Sequence, residues 1–235
     1  MYRVILDYIE CLARAEDAKA LQDALKIIAE RYDLPTFAYL LMPGTARASA
    51  KLISTYPSHW TNYYLERGYE RTDPIILQSG MDVRPFDWSA DFSETTDEKV
   101  RRFFAEAADF GIRYGFTIPL HDEYGFAAIT FATDRYNPAF CDTIWENIHL
   151  LQFAAILFHT FARRRLGPPF FINGAPLTPR EYECLNLVAQ GKSAWDISRI
   201  LHVSQHCAEF HLANVRTKLD VHSICQAIYY LGGLR

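Results

Sequence analysis

The chain has 235 residues, of which 50% are hydrophobic and 14% aromatic, enough for one large or two small domains with packed cores. Its formal net charge of −4 is unusual for a nucleic-acid-binding protein, because such a protein uses basic residues to neutralise backbone phosphates. The five cysteines are scattered and form no Cys-x-x-Cys pair, so we expect reduced thiols and a cytoplasmic protein rather than a disulfide scaffold. We find no signal-peptide core and no apolar run of membrane length, so we expect no membrane contact.

Amphipathic helices alternate with strands in the first half of the chain. Helices are expected over residues 18–31, 59–67 and 97–110. Strands are expected over residues 37–42, 52–56, 113–120 and 126–133. The fold class is therefore α+β, and the order of elements predicts a sensor-like α/β/α sandwich in which an antiparallel sheet has helices on both faces.

A long helix is predicted to begin at Asn137-Pro138 and to reach Arg165. It carries two apolar stripes, one of Ile148, Leu151, Ala155 and Phe158, the other of Leu150, Ala154, Leu157 and Phe161. One stripe is enough to cover a sheet, so the other is either buried in the monomer as well or forms a dimer interface. The Pro- and Gly-containing residues 166–176 predict a semi-rigid linker between domains at 1–165 and 177–235.

Aromatic residues and one aspartate form a cluster after the second predicted strand. Tyr56, Trp60 and Tyr64 recur every four residues, and Asp73 and Trp88 follow. A buried carboxylate is costly unless it is hydrogen-bonded, so Asp73 beside aromatic donors predicts the polar end of an apolar pocket. The alternative is that Asp73 caps the next helix, although its two oxygens can divide the two roles.

Three helical patterns follow closely on one another after Leu177. Thr178, Ser193 and Ser204 are each placed to cap a helix, and Glu181 sits three residues after Thr178, as in a capping box. The tight joint at residues 202–204 separates the second and third patterns, which is the layout of a helix-turn-helix. A small helical bundle without a DNA role would show the same periodicity.

The third pattern has one apolar face, formed by Ala208, Leu212, Val215 and Leu219. Off this face lie the residues expected to enter a DNA groove: Gln205, His206, Glu209, Phe210 and Ala213. Phosphate contacts are expected from Lys192, Asn214, Arg216 and Lys218. Only six basic residues oppose five acidic ones from Leu177 onward, so one copy should bind DNA weakly and a homodimer is expected.

This segment resembles the DNA-binding domain of LuxR-type transcription regulators, a four-helix module. The match rests on Leu177-Thr178-Pro179-Arg180-Glu181, Leu185, Gly191-Lys192, Ile197, Val203-Ser204, His211, Asn214 and Lys218-Leu219. Members usually have Thr-Val in place of Cys207-Ala208 and often Arg in place of Ile224, which removes one phosphate contact here. The resemblance implies double-stranded operator DNA and RNA polymerase as partners, and a protein that is not an enzyme.

The first half resembles the autoinducer-binding domain of LuxR-type quorum-sensing receptors through Trp60, Tyr64, Asp73, Pro74, Trp88 and Gly115. The resemblance implies an N-acyl-homoserine lactone ligand and no cofactor. Trp60 would donate to the lactone carbonyl, Asp73 would accept the amide N–H, and Tyr56 and Thr130 would bond the amide carbonyl. The expected pocket lining is Leu40, Tyr64, Ile75, Trp88 and Phe104.

Two other readings of the sequence remain open. In one, the protein is a DNA-binding regulator whose first domain only dimerises or senses a different small molecule. The second half may be a degenerate DNA-binding domain attached to a ligand-binding module. A metal site is not expected, because His202 and His206 straddle the turn even though His211 and Cys207 are near in sequence.

Overall fold

The computed structural model describes residues 2–42, 50–90, 97–122, 125–166, 170–173 and 175–232. The chain divides into two compact units, Met1–Leu166 and Gly167–Arg235. The first unit combines helices with a sheet and the second is mainly helical, which confirms the predicted fold class. None of the described helices has the length and apolarity that crossing a membrane would require.

The first unit is built from seven described helices and a sheet. The helices are α1 (Tyr2–Arg14), α2 (Ala18–Arg31), α3 (Ser58–Glu66), α4 (Pro74–Met81), α5 (Glu98–Asp109), α6 (Pro138–Glu146) and α7 (Ile148–Leu166). The strands are β1 (Thr36–Leu41), β2 (Lys51–Ser54), β3 (Phe86–Ser89), β4 (Tyr114–Asp122) and β5 (Gly125–Thr133). They pair antiparallel in the order β2-β1-β5-β4-β3.

The sheet separates two hydrophobic cores, because successive side chains of a strand point to opposite faces. On one face Tyr39, Ile129 and Phe131 pack with residues of α1, α2, α6 and α7. On the other face Leu40 and two small residues, Ala128 and Ala132, pack with residues of α3, α4 and α5. This is the expected α/β/α sandwich, and the small side chains of its second face leave room above the sheet.

The long helix predicted from residue 137 to residue 165 is two helices. Asn147 lies between α6 and α7 with φ −113° and ψ 14°, outside the helical region. Its side-chain amide donates to the Thr143 carbonyl at 2.8 Å, and its own carbonyl accepts from Leu151 N–H at 3.0 Å. Asparagine suits such a junction because its side chain competes with the backbone for hydrogen bonds.

Both predicted apolar stripes of α7 face the core of the first unit. Leu151 and Phe158 of the first stripe are buried, and Leu157 of the second packs partly buried against the same core. The exposed apolar side chains lie on another face of the helix, where Phe153 is 49% and Ile156 is 56% exposed. The second stripe is thus also buried within the monomer, and the exposed apolar side chains of α7 lie on its other face.

A buried polar network also fixes α7 to the sheet. The Tyr39 hydroxyl lies 2.9 Å from Nδ1 of His159, whose Nε2 lies 2.9 Å from Oδ2 of Asp122. Arg163 donates to both Asp122 oxygens, at 2.7 Å and 2.9 Å. Because a bidentate arginine–carboxylate pair has a demanding geometry, this network sets the position of α7 against β1 and β4.

The second unit begins earlier than the sequence suggests. Its first elements are β6 (Phe170–Ile172) and β7 (Ala175–Leu177), which pair as a hairpin. Residues 166–176, expected as a linker, therefore include this hairpin, whose Ile172 is fully buried in the core of the second unit. Strands of three residues are too short to show alternation in the sequence. Pro168 and Pro169 lie outside the described residues.

Within residues 175–232 the structure describes the four helices of the predicted module: α8 (Pro179–Ala189), α9 (Ala194–Leu201), α10 (Gln205–Lys218) and α11 (Ile224–Gly232). The three predicted caps are confirmed, since Thr178, Ser193 and Ser204 each accept a backbone N–H of the first turn. His202 turns the chain between α9 and α10 with φ 53°.

Candidate ligand-binding site and DNA interface

A cavity of about 60 Å³ lies above the second face of the sheet. All nine residues predicted to hold a ligand line it: Leu40, Tyr56, Trp60, Tyr64, Asp73, Ile75, Trp88, Phe104 and Thr130. The sequence did not point to the other lining residues, which are Ala38, Leu52, Thr61, Ile76, Phe103, Ala107, Ile112 and Ala128. Most of these are ordinary core residues, and nothing in a single sequence marks them as pocket residues.

Asp73 stands at the polar end of the cavity and caps α4. Its Oδ1 accepts the Ile75 N–H at 2.8 Å, and its Oδ2 accepts the Tyr64 hydroxyl at 2.9 Å. Burial raises the pKa of Asp73 to about 6, although the bonds from Tyr64 and Ile75 act to lower it. The cap is thus confirmed, and each oxygen keeps a second lone pair that can accept from a ligand.

Tyr56 carries an unused hydrogen-bonding group. Among the described residues, its hydroxyl is buried and has no hydrogen-bond partner. Burial, with the nearby charge of Asp73, raises the pKa of Tyr56, so the phenol keeps its proton. An unsatisfied buried hydroxyl costs free energy, which a ligand acceptor would recover.

Thr130 belongs to a short chain of hydrogen bonds that the sequence did not predict. The Trp88 indole N–H donates to Oγ1 of Thr117 at 3.0 Å, and the hydroxyl oxygens of Thr117 and Thr130 are 2.9 Å apart. Because Thr117 accepts from Trp88, donation of its own proton to Thr130 leaves the Thr130 proton for an acceptor in the cavity. Thr117 is fully buried and does not line the cavity, so only its contacts reveal this role.

Aromatic rings form the wall around Trp60. Its ring centroid lies 5.9 Å from that of Tyr64, 6.3 Å from that of Tyr63 and 6.2 Å from that of Tyr69. The Tyr69 hydroxyl donates to Glu106, which also accepts from Arg102 at 2.8 Å. The wall therefore joins α3 to α5 beside the cavity.

Helix α10 presents the residues expected to read DNA. Gln205, His206, Glu209 and Phe210 are exposed, while Ala213 is half-buried. The opposite side of the helix is closed, because Ala208, Val215 and Leu219 are buried in the unit. Gln205 donates to Oε1 of Glu209 at 2.8 Å, which orients both side chains at the start of the helix.

The expected phosphate contacts differ in their surroundings. Lys192 and Arg216 are exposed, and Asn214 is half-buried. Lys218 instead places Nζ 2.7 Å from Oε2 of Glu181, a buried residue of the α8 capping box. The structure thus argues against Lys218 as a phosphate contact, because its charge neutralises a carboxylate 37 positions away in sequence.

The histidines and cysteine of α10 do not assemble a metal site in the described part of the chain. The Sγ of Cys207 and Nε2 of His211 are 3.5 Å apart, but no group of three or more metal-ligating side chains forms among the described residues.

Both units match known protein families. Residues 17–162 match the family described as autoinducer binding domain, and residues 175–231 match that of the bacterial regulatory proteins of the luxR family. The chain belongs to the LuxR family. It is an autoinducer-binding transcription regulator with a helix-turn-helix DNA-binding domain, and the family consists of regulators, not enzymes.

Two curated relatives cover most of this LuxR-family chain. The HTH-type transcriptional regulator y4qH of Sinorhizobium fredii is 35% identical over 212 residues, which are 87% of this chain and 64% of that protein. The chain thus spans less than two thirds of that relative. The transcriptional activator protein BjaR1 of Bradyrhizobium diazoefficiens is 30% identical, with 96% of this chain and 94% of that protein covered.

A solved structure is similar in fold to 71% of this chain. It is the N-acylhomoserine lactone dependent LuxR family transcription factor CepR2 of Burkholderia cenocepacia. The identity is 25%, the TM-score is 0.55, and the similarity covers 71% of this chain and 95% of that one.

Proposed function

We propose that this LuxR-family regulator binds an N-acyl-homoserine lactone in the cavity and then, as a homodimer, binds a dyad operator to control transcription. The observation that carries the proposal is the polar pattern of the cavity. Asp73 offers an acceptor, while Tyr56 and Thr130 offer donors. A secondary amide presents one N–H and one carbonyl, which is the complement of that pattern.

Each part of the lactone has a partner in this arrangement. Asp73 accepts the amide N–H, Tyr56 and Thr130 donate to the amide carbonyl, and the Trp60 indole donates to the lactone carbonyl. Apolar contacts come from the rest of the predicted lining: Leu40, Tyr64, Ile75, Trp88 and Phe104. The small cavity and its aromatic wall favour a short, branched or aryl acyl group.

Mass spectrometry tests the ligand directly. The full chain is produced in cells supplied with N-butanoyl-, N-isobutanoyl-, N-benzoyl- or N-dodecanoyl-homoserine lactone, purified and extracted with solvent. We expect one short or aryl lactone at one molecule per chain, with more soluble protein than in unsupplied cells. Absence of any stoichiometric lactone, with no gain in soluble protein, contradicts the proposal. A different extracted small molecule would favour the alternative sensor.

Dimerisation is proposed through the exposed face of α7, where Phe153 and Ile156 leave apolar surface in water. Replacing Ile156 with Glu places a charge in this interface, so we expect a monomer in sedimentation with lactone binding retained. Leu77→Glu is the matched control, because Leu77 is also an exposed apolar residue, 48% exposed, but lies on α4. If the Ile156→Glu protein sediments as a dimer, α7 is not the interface.

Base reading is proposed for the start of α10. Glu209 is exposed and can accept from a cytosine amino group, so Glu209→Ala should relax the preference at one base pair by about 1–3 kcal/mol. Competition gel shifts with single-base variants of a selected operator measure this change. An unaltered preference at every position would remove Glu209 from the reading set.

Arg216 and Lys218 are expected to respond differently to alanine substitution. Within the described residues no carboxylate pairs with Arg216, so Arg216→Ala should weaken DNA binding and reduce the slope of log affinity against log salt by about 1. Lys218→Ala should instead lower stability by about 2 kcal/mol, because it leaves Glu181 buried without its cation. Salt titrations and thermal unfolding separate the two effects, and a normal melting temperature for Lys218→Ala contradicts the assignment.

Control of transcription also implies a functional contact with RNA polymerase. That partner remains a prediction from the family resemblance.

A further inference from the structure

The hydroxyl of Tyr64 is bound to the carboxylate that faces the cavity. Tyr64 lies on α3 and Asp73 caps α4, and the two side chains meet at 2.9 Å with both residues buried. We propose that Tyr64 is a positioning residue, which keeps Asp73 charged and oriented so that its remaining lone pairs accept the ligand amide. The proposal rests on the lactone function above and gives Tyr64 a task beyond lining the pocket.

The surroundings of Asp73 offer hydrogen bonds but no cation. None of the described residues that line the cavity is basic. The groups that act on the carboxylate are the Tyr64 hydroxyl and the backbone N–H groups of Ile75 and Ile76. Tyr56 lies near enough for the charge of Asp73 to raise its pKa, and Glu70 adds negative charge near Tyr64. The charged form of Asp73 therefore depends on these few donors.

Loss of the Tyr64 donor has a predictable direction. Burial already raises the pKa of Asp73 to about 6 while the bond from Tyr64 acts to lower it. Without that bond the pKa rises further, by about one to two pH units for a hydrogen bond to a charged group. A protonated Asp73 turns an O–H toward the cavity and no longer serves as a charged acceptor for the amide N–H.

The sign of the pH dependence follows from this requirement. Lactone binding needs the ionised carboxylate, so affinity is low below the pKa of Asp73 and increases as the pH rises through it. The natural protein should show its midpoint near pH 6. With Phe at position 64 the midpoint should move up by about one to two units, so that affinity at neutral pH falls about two- to tenfold and recovers at higher pH.

Tyr64→Phe and Tyr63→Phe form the matched pair of variants. Tyr63 is the adjacent tyrosine, its ring packs against the same Trp60, and its hydroxyl acts on the pKa of Glu106 rather than on that of Asp73. The tightest-binding lactone of the panel above is titrated calorimetrically into each full chain across the weakly acidic to weakly alkaline range. We expect a raised midpoint for Tyr64→Phe and the natural midpoint for Tyr63→Phe. Ring-opening of the lactone is checked in every sample.

Two further measurements separate a positioning role for Tyr64 from a role in packing alone. An equal loss of affinity at every pH, or an unmoved midpoint, overturns the proposal and leaves Tyr64 as a packing residue. If Tyr64→Phe does not fold, difluorotyrosine at position 64 keeps the shape and strengthens the donor, so the midpoint should fall. If the natural chain binds no lactone, the proposed function fails, and carboxyl NMR titration of Asp73 in the ligand-free proteins still decides the role of Tyr64.

Discussion

Replacement of Asp73 by alanine is expected to weaken lactone binding at neutral pH by about 10- to 150-fold. The variant removes a charged acceptor from a buried site, and a hydrogen bond to a charged group contributes about 1.5–3 kcal/mol. It also leaves the Tyr64 hydroxyl without its present acceptor, since that group now donates to Oδ2 at 2.9 Å. Calorimetric titration of the full chain with the panel lactones measures the loss.

Asp73→Ser distinguishes the ligand contact from the helix cap. Serine is a good N-cap residue, so this variant can retain the bond that Oδ1 now accepts from Ile75 N–H. The serine side chain is uncharged and shorter than that of aspartate. We therefore expect Asp73→Ser to bind lactone as poorly as Asp73→Ala, but to unfold at a higher temperature than Asp73→Ala. Full lactone binding by the serine variant would mean that Asp73 serves only as a cap.

Gly115→Ala is expected to unfold the first unit or to destabilise it by about 3 kcal/mol or more. An added Cβ would lie 2.2 Å from Cζ2 of the Trp88 ring and 2.8 Å from the backbone oxygen of Phe131. The ring can move only by giving up its bond to Thr117. The Phe131 oxygen cannot withdraw without disturbing the pairing of β4 with β5. Thermal unfolding and lactone titration record both consequences.

Gly80→Ala is the control for this substitution. The three atoms nearest to a Cβ at Gly80 all belong to the Phe126 ring, the closest at 3.1 Å, and a small ring movement relieves this contact. We therefore expect near-natural stability for Gly80→Ala. Made in a Trp88→Ala background, where the ring is absent, Gly115→Ala meets only the Phe131 oxygen, so it should cost less stability there than in the natural chain. A natural melting temperature for Gly115→Ala alone would contradict the packing described.

Local signals in the sequence were sufficient where one residue determines a structure by itself. Ser193 and Ser204 were recognised as caps because a cap is made within three residues. The cavity residues were also predicted together, although there the family resemblance rather than spacing assigned Tyr56 and Thr130 to one site. Alternating strands and amphipathic helices were enough to predict the layered α+β fold.

The features that the sequence did not predict depend on distant partners or on very short elements. Lys218 looks like any surface cation until folding places it beside Glu181. Thr117 acquires its role only through Trp88 and Thr130 on neighbouring strands. The junction at Asn147 interrupts a pattern that is apolar on both sides of it. These contacts arise in the folded chain and leave no periodic signal.

We expect the lactone to control DNA binding, and an operator-binding measurement tests this most directly. Lactone-loaded full chain first selects sequences from random DNA, and the affinity for the enriched sequence is then measured with and without lactone. We expect an inverted repeat, and an affinity at least about tenfold higher with lactone, within the usual range of coupling between two sites. Equal affinity with and without lactone, or no enriched sequence, would contradict control of DNA binding by the lactone.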